Sequence, residues 1–339
     1  MRLSILALVL ATAAAACGGS QKKSEPIPLP EPKAEEAKPA EPEAKAEEPP
    51  PPAEPLEVML AAPKVTVKLV NAGKGKKEVL KLSPTAGSKQ AVEFAIDFVG
   101  KSTGGPEGAA EDIMPTVVLV GDAEVKAVDK DGTSEFLLTV TGTDARDVPN
   151  SKAPADQVKV VLESLKGMSI GGTVNANGSA SDLKMRVETP TQQSAGAIQL
   201  VMLAFPSLPV LPKEPVGVGA KWKVVATSKF ADQLDVTATT DYQVVSHKDK
   251  TWTIKGTTKV TGADQQIGPA GEDGVPQAKA TKIGGNGTIE ATIVEGAFYP
   301  TMSSGSQTGF TIEGTDPQTK QPVNGSLEIK QKATITPKA

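Results

Sequence analysis

Residues 236–260 read VTATTDYQVVSHKDKTWTIKGTTKV, and their periodicity indicates the fold class. In 236–245 and again in 252–260, apolar or aromatic residues alternate with polar ones at a period of two, which is typical of strands with one buried face. The polar run 247–250 between them predicts a turn. We therefore expect an antiparallel hairpin with one dry face and one solvated face.

The same alternation recurs along the chain. Val, Leu or Ile occupies one face of each segment, and Lys, Thr or Glu occupies the other. These further segments are residues 64–70, 117–128, 136–143, 222–227 and 289–294. So many alternating segments predict a mainly β domain built on an antiparallel sheet.

Several joints carry turn signals. Asp129-Lys130-Asp131-Gly132 lies between two alternating segments, and Asn-Gly pairs occur at 177–178, 286–287 and 324–325. Asn-Gly between strand-like runs is the strongest short hairpin signal, so we expect a hairpin at each pair. Each pair is followed by Ser or Thr and also matches a glycosylation sequon, but we interpret all three as turns.

Two segments have a helical period instead. Residues 154–166 begin with Pro and are followed by Gly167, with apolar residues at 158, 161, 162 and 165. Residues 191–205 place Ile198, Val201, Met202 and Phe205 on one helical face. The predicted fold class is mainly β: a large curved antiparallel sheet or half-barrel with two α-helices packed on the concave face.

Residues 211–222, LPKEPVGVGAKW, carry a resemblance. They resemble an uncharacterised bacterial envelope family with the signature L-P-x-x-P-V-x-V-G-x-x-W, and the order of elements over 150–339 is similar. More distantly, the predicted architecture is similar to periplasmic lipoprotein carriers and lipid-binding lipoproteins, which implies a fold and not a function. From the residues themselves, the prolines end the preceding helix, and Trp222 opens a strand and plugs the core; a ligand-binding loop is the alternative.

The N-terminus has the layout of a secretory signal. Residues 1–16 combine a positive end at Arg2, an apolar run and a stretch of small residues, directly before Cys17. Ala14-Ala15-Ala16-Cys17 resembles the lipoprotein cleavage box, although Ala14 stands where that box usually has Leu. We expect lipidation of Cys17 by palmitate and other acyl chains; ordinary cleavage after Ala16, leaving a free thiol, is the alternative.

The residue after the cysteine bears on localisation. By resemblance to the sorting rule of well-studied Gram-negative lipoproteins, the lack of Asp at Gly18 allows delivery to the outer membrane. The expected location is therefore the cell envelope, lipid-anchored, with the outer membrane as the destination.

Residues 17–56 predict a tether between anchor and domain. Of the 32 residues 24–55, eleven are Pro and nine are Glu, a composition that cannot bury enough apolar surface to fold. The predicted organisation is a signal peptide at 1–16, a lipidated and disordered tether at 17–56, and a single mainly β domain at 57–339. With 30 basic and 31 acidic residues, that domain is nearly neutral and shows no overall charge bias toward nucleic acid or anionic lipid.

The chain offers little for chemistry. Its one cysteine, Cys17, precedes the domain, so the sequence predicts no disulfide and no cysteine-based zinc site there. Its one histidine, His247, falls in a charged predicted turn, which favours a surface role. We expect no catalytic residue, no cofactor and no metal site, hence no enzyme, and the eleven aromatic residues are too few for nucleic-acid stacking.

Two non-enzymatic functions remain open. One is binding of an apolar ligand or lipid, with candidate lining residues Ile198, Val201, Met202, Phe205 and Trp222. The alternative is that the helix predicted at 191–205 fills the core and binds no ligand. The other is a structural or interaction lipoprotein that contacts another envelope protein at the end of its tether. We expect a monomer that its lipid holds at the membrane. A hydrolase, with polar site residues scattered along the sequence, is the least favoured hypothesis.

Overall fold

In a computed structural model, the described residues form seventeen strands and one helix whose two ends are both defined. The model describes residues 54–105, 108–191, 195–198, 201, 207–230, 234–270, 276–315 and 322–338, all within one unit, Glu54–Ala339. The strands are β1 Leu56–Leu60, β2 Lys64–Asn71, β3 Lys74–Glu78, β4 Lys89–Gly105, β5 Gly108–Ile113, β6 Thr116–Val128, β7 Ser134–Arg146, β8 Ser169–Val174, β9 Ala180–Val187, β10 Val216–Val218, β11 Lys221–Phe230, β12 Leu234–Lys248, β13 Thr251–Thr261, β14 Gln265–Ala270, β15 Pro276–Val294, β16 Thr301–Thr315 and β17 Pro322–Pro337. Helix α1 is Ala155–Glu163.

Fifteen strands form one antiparallel sheet. Its main path runs β1-β9-β8-β7-β6-β4-β17-β16-β15-β13-β12-β11-β2. In addition, β5 pairs with the C-terminal part of β4, and β14 pairs with the N-terminal part of β15. The strands β3 and β10 form a separate two-stranded ladder. Among the described strands, β1 pairs with β9 alone and β2 with β11 alone, so the sheet is not closed.

The chain itself shows that the sheet is strongly curved. If the thirteen strands of the main path lay flat, β1 and β2 would be about 58 Å apart. Yet only residues 61–63 separate them in sequence, which limits the distance from Leu60 to Lys64 to about 14 Å. The two edges therefore lie close together, and the predicted large curved antiparallel sheet is confirmed.

One continuous apolar cluster fills the concave side. Every strand of the main path contributes at least one side chain to it, as expected when the apolar side of a period-two pattern faces inward. Helix α1 adds Leu162, and residues 195–198 and 201, which are also helical, add Ala197, Ile198 and Val201. The described parts of both predicted helices therefore pack on the concave face.

The predicted strands are all confirmed, most of them with one to three extra residues at one or both ends. The strand predicted at 289–294 is much longer than expected, because it begins at Pro276. The hairpin turns at 129–132, at 177–178 and between β12 and β13 are confirmed as well. The Asn-Gly pairs at 286–287 and 324–325 are not turns, because they lie inside β15 and β17. The prediction failed there because Asn-Gly makes a hairpin only when the flanking segments pair with each other, whereas these strands pair with separate neighbours along their whole length.

Candidate functional site

The residues predicted to line a ligand space lie inside the packed core. Ile198, Val201 and Trp222 are 5%, 1% and 1% exposed and belong to the same apolar cluster. Met202 and Phe205 lie outside the described residues, as does Cys17. The structure thus brings three of the candidate lining residues into one cluster, where protein atoms surround them.

The 211–222 segment is built into this core. Its residues Leu211, Val216 and Ala220 are fully buried, and Trp222 follows as the second residue of β11. The Trp222 indole Nε1 donates a hydrogen bond of 2.9 Å to the carbonyl oxygen of Val210. The buried end of the indole is therefore satisfied, which a tryptophan in a core requires.

A second ring supports Trp222. The Tyr242 ring stacks on the indole with centroids 5.2 Å apart and an angle of 9°. Burial raises the pKa of Tyr242 to about 12, although a hydrogen bond from the Val210 backbone opposes this. The phenol therefore stays neutral at ordinary pH, and its ring packs on the indole.

Glycine is required in the 211–222 segment where β10 pairs with β3. The Gly217 N–H donates to the Ala72 carbonyl at 2.9 Å, and a Cβ on Gly217 would overlap the carbonyl oxygen of Lys74. Gly219, two residues later, has a φ of +79° but open space around it. Gly217 therefore permits close backbone approach, and Gly219 permits a left-handed turn.

The turn between β15 and β16 adds two buried aromatic rings, Phe298 and Tyr299, to the core. The amide of Gln90 binds this turn: its Oε1 accepts from the N–H groups of Phe298 and Tyr299, and its Nε2 donates to the Tyr299 carbonyl. Phe298 packs on Phe136 at 5.0 Å, and Tyr299 meets Phe94 edge-on at 5.5 Å. Burial raises the pKa of Tyr299, which again excludes an ionised phenol at ordinary pH.

His247 lies elsewhere than the sequence predicted. It belongs to strand β12, and the turn begins after it, at Asp249. Its ring stacks on Trp252 with centroids 3.5 Å apart, and its side chain is only 15% exposed. Within the described part of the chain its buried Nε2 has no hydrogen-bond partner, and the nearest carboxylate is Glu78 at 3.6 Å.

A bulge explains this burial. The register of β12 against β13 shifts between Val244 and Ser246, so one residue is inserted there. Val244 faces the core, and without the bulge position 247 would face solvent. The shift pairs His247 with the buried Trp252 instead. The expected surface role is therefore wrong.

Contacts around His247 and β3 bring several lysines close together on the surface of the domain. We call residues 74–81, 213–218 and 245–250 the basic pole. The β3–β10 ladder joins the first two segments, and the His247–Glu78 contact joins the third. The pole contains seven lysines and three carboxylates, although the whole domain is nearly neutral. The sequence total therefore concealed a local excess of positive charge.

Two clefts open on the surface of the described residues. One, of about 530 Å³, lies between the β6–β7 and β8–β9 turns and the pole, and Asp131, Asn177, Lys81 and Lys213 line it. The other, of about 660 Å³, crosses the outer face of the sheet, where Lys221, Asp241, Lys255, Glu290 and Lys332 line it. Most of the residues that line both clefts are polar.

The described residues contain neither a metal cluster nor a membrane-spanning helix. In that part of the chain, no group of three or more His, Cys, Asp or Glu side chains is placed to hold a metal ion. None of its helices has the length and hydropathy needed to cross a bilayer.

Comparisons with known proteins do not assign a class beyond this fold. No protein-family model matches the chain, and no curated protein matches its sequence. One solved structure, in-vitro folded OmpT, an outer membrane protein of Vibrio cholerae in its trimer form, is 8% identical over 74% of this chain and 100% of that chain. Its TM-score is 0.16, so this likeness carries no argument.

Proposed function

We propose that this chain is a lipid-anchored envelope adaptor, whose β-domain acts through contacts of its outer surface with another envelope component. The anchor is Cys17, and the tether at 17–56 supplies the reach. The domain has no role in catalysis and carries no ligand in its interior.

One observation carries this proposal. The side chains that a carrier would need free, Ile198, Val201 and Trp222, are at most 5% exposed in a continuous cluster. A carrier that released its ligand would leave such side chains facing a space, and interiors this well packed have few voids. The interior is therefore interpreted as a filled core.

Exposed hydrophobic side chains on the outer surface also support the proposal. Eight large hydrophobic side chains of the described residues are exposed, and three of them, Val79, Val218 and Val245, lie in the basic pole. Val70 is the last residue but one of β2, and Val294 precedes Glu295, whose N–H donates to the Lys250 carbonyl. Exposed apolar side chains gathered at one place mark a contact surface.

Photo-crosslinking in living cells tests the proposal. A photoreactive phenylalanine analogue replaces Val218, which is 44% exposed, in the full chain. The matched control carries it at Val160 of α1, which is 65% exposed and lies away from the pole. We expect a light-dependent adduct with another envelope component from position 218 and none from position 160.

The opposite pattern contradicts the adaptor. If position 218 gives no adduct, or if the purified chain retains an apolar molecule in native mass spectrometry, the surface role is wrong. The second result would favour the ligand-binding alternative.

A further inference from the structure

We infer that the basic pole binds the anionic headgroups of a phospholipid surface. This inference rests on the proposed function, because it names the envelope component that the adaptor contacts. It depends on charge, on exposed apolar side chains and on the rigidity of the pole.

The pole is a fixed surface. Leu80, Leu82 and Val216 are at most 3% exposed and anchor the β3–β10 ladder to the core. Hydrogen bonds between Gly219 and the Val244 carbonyl and between Val244 and the Ala220 carbonyl, both 3.0 Å, hold it against β12. The backbone that carries these charges is therefore already ordered before binding, which lowers the ordering cost.

Most of its positive charge is free for a partner. Lys76 pairs with Glu78, but no carboxylate of the described residues lies within 4 Å of the other six amino groups. These are the amino groups of Lys74, Lys77, Lys81, Lys213, Lys248 and Lys250. Each lysine near an anionic bilayer contributes about 1 kcal/mol of attraction, which salt weakens.

The apolar side chains select a lipid surface over a dissolved anion. Val79 and Val218 are 48% and 44% exposed and stand among the lysines of the ladder. Short apolar side chains flanked by lysines suit the boundary between headgroups and acyl chains, where lysine stems lie along apolar material and the ammonium groups reach the phosphates.

The composition of the pole disfavours nucleic acid. Residues 74–81, 213–218 and 245–250 include no Arg, Phe, Tyr or Trp, and the ring of His247 is covered by Trp252. Single strands are held by stacking on aromatic or guanidinium planes, and base edges in duplexes are read mainly by Arg, Asn and Gln. Lysines with valines offer only point charges and apolar contact.

Vesicle flotation tests the inference. The full mature chain with Cys17→Ser, which removes acylation, is mixed with vesicles of 70% phosphatidylcholine and 30% phosphatidylglycerol, or of phosphatidylcholine alone. We expect binding to the anionic vesicles that falls at high salt, and at least about tenfold weaker binding after Lys74→Gln, Lys76→Gln and Lys77→Gln together. The matched control replaces Lys101, Lys279 and Lys330 by Gln; these lie in β4, β15 and β17, about 45% exposed, and should leave binding unchanged.

Three results would overturn the inference: no binding to anionic vesicles, equal binding to both compositions, or equal losses in the two triple variants. Five of the six positions are exposed and Lys279 is half-buried, so the variants should fold, and thermal unfolding checks this. Failure here is distinguishable from failure of the adaptor. If position 218 crosslinks to a protein and the vesicles do not bind, the adaptor stands and its partner is that protein.

Discussion

Trp222→Ala is expected to lower the free energy of unfolding by about 3–5 kcal/mol, the range for removing a large aromatic side chain from a core. Trp222 is 1% exposed, stacks on Tyr242 and donates to the Val210 carbonyl. Its loss leaves a cavity, an unsupported tyrosine and an orphaned carbonyl. Denaturant unfolding followed by far-ultraviolet circular dichroism measures the change.

Two controls separate these causes. Trp222→Phe keeps most of the apolar volume but loses the indole N–H, so we expect a cost of about 1–3 kcal/mol. Val160→Ala, at an exposed position of α1, should change stability by less than about 0.5 kcal/mol. A Trp222→Ala variant as stable as Val160→Ala would show that Trp222 does not hold the 211–222 segment in the core.

Gly217→Ala is expected to cost about 3 kcal/mol, because it forces overpacking against the backbone. The added Cβ would overlap the Lys74 carbonyl, so β10 and β3 must move apart and the Gly217 hydrogen bond to Ala72 must weaken. Thermal unfolding measures the loss, and hydrogen exchange over 72–78 locates it.

Gly219→Ala is the matched control for that clash. Its φ of +79° strains any other residue, but no atom lies within 4 Å of the new Cβ. We expect a cost of about 1 kcal/mol from backbone strain alone. Equal losses in the two variants, with unchanged exchange over 72–78, would contradict close packing of the ladder.

The fold could be predicted from the sequence because its main signal is local. The period-two alternation in 236–260 requires only that one face be buried, and the sheet meets that requirement along β12 and β13. The Asn-Gly pairs at 286–287 and 324–325 show the limit of local signals. There, pairing along strands of up to 19 residues outweighs the turn preference of two residues.

The basic pole could not be predicted in the same way. Its lysines come from segments up to about 170 residues apart, and only the β3–β10 ladder and the His247–Glu78 contact bring them together. A net charge averaged over the domain hides such a grouping. The burial of His247 was hidden for a related reason, because a single bulge inverts which side of the strand it faces.

The candidate lining residues show that helical spacing of apolar residues does not distinguish a ligand-covering helix from a core helix. Helical spacing in 191–205 correctly places Ile198 and Val201 on a buried face. The same spacing fits a helix that covers a ligand and a helix that fills a core, because both bury one apolar face. Exposure in the folded chain distinguishes the two, and it favours the filled core.

The proposed adaptor depends on lipid attachment at Cys17, which metabolic labelling with palmitate tests. We predict that the full chain incorporates labelled palmitate, that Cys17→Ser abolishes the label, and that the mature N-terminal peptide begins at Cys17 with the mass of its acyl chains. An N-terminal peptide that begins at an unmodified Cys17, with no label on the chain, would contradict lipid anchoring and the adaptor built on it.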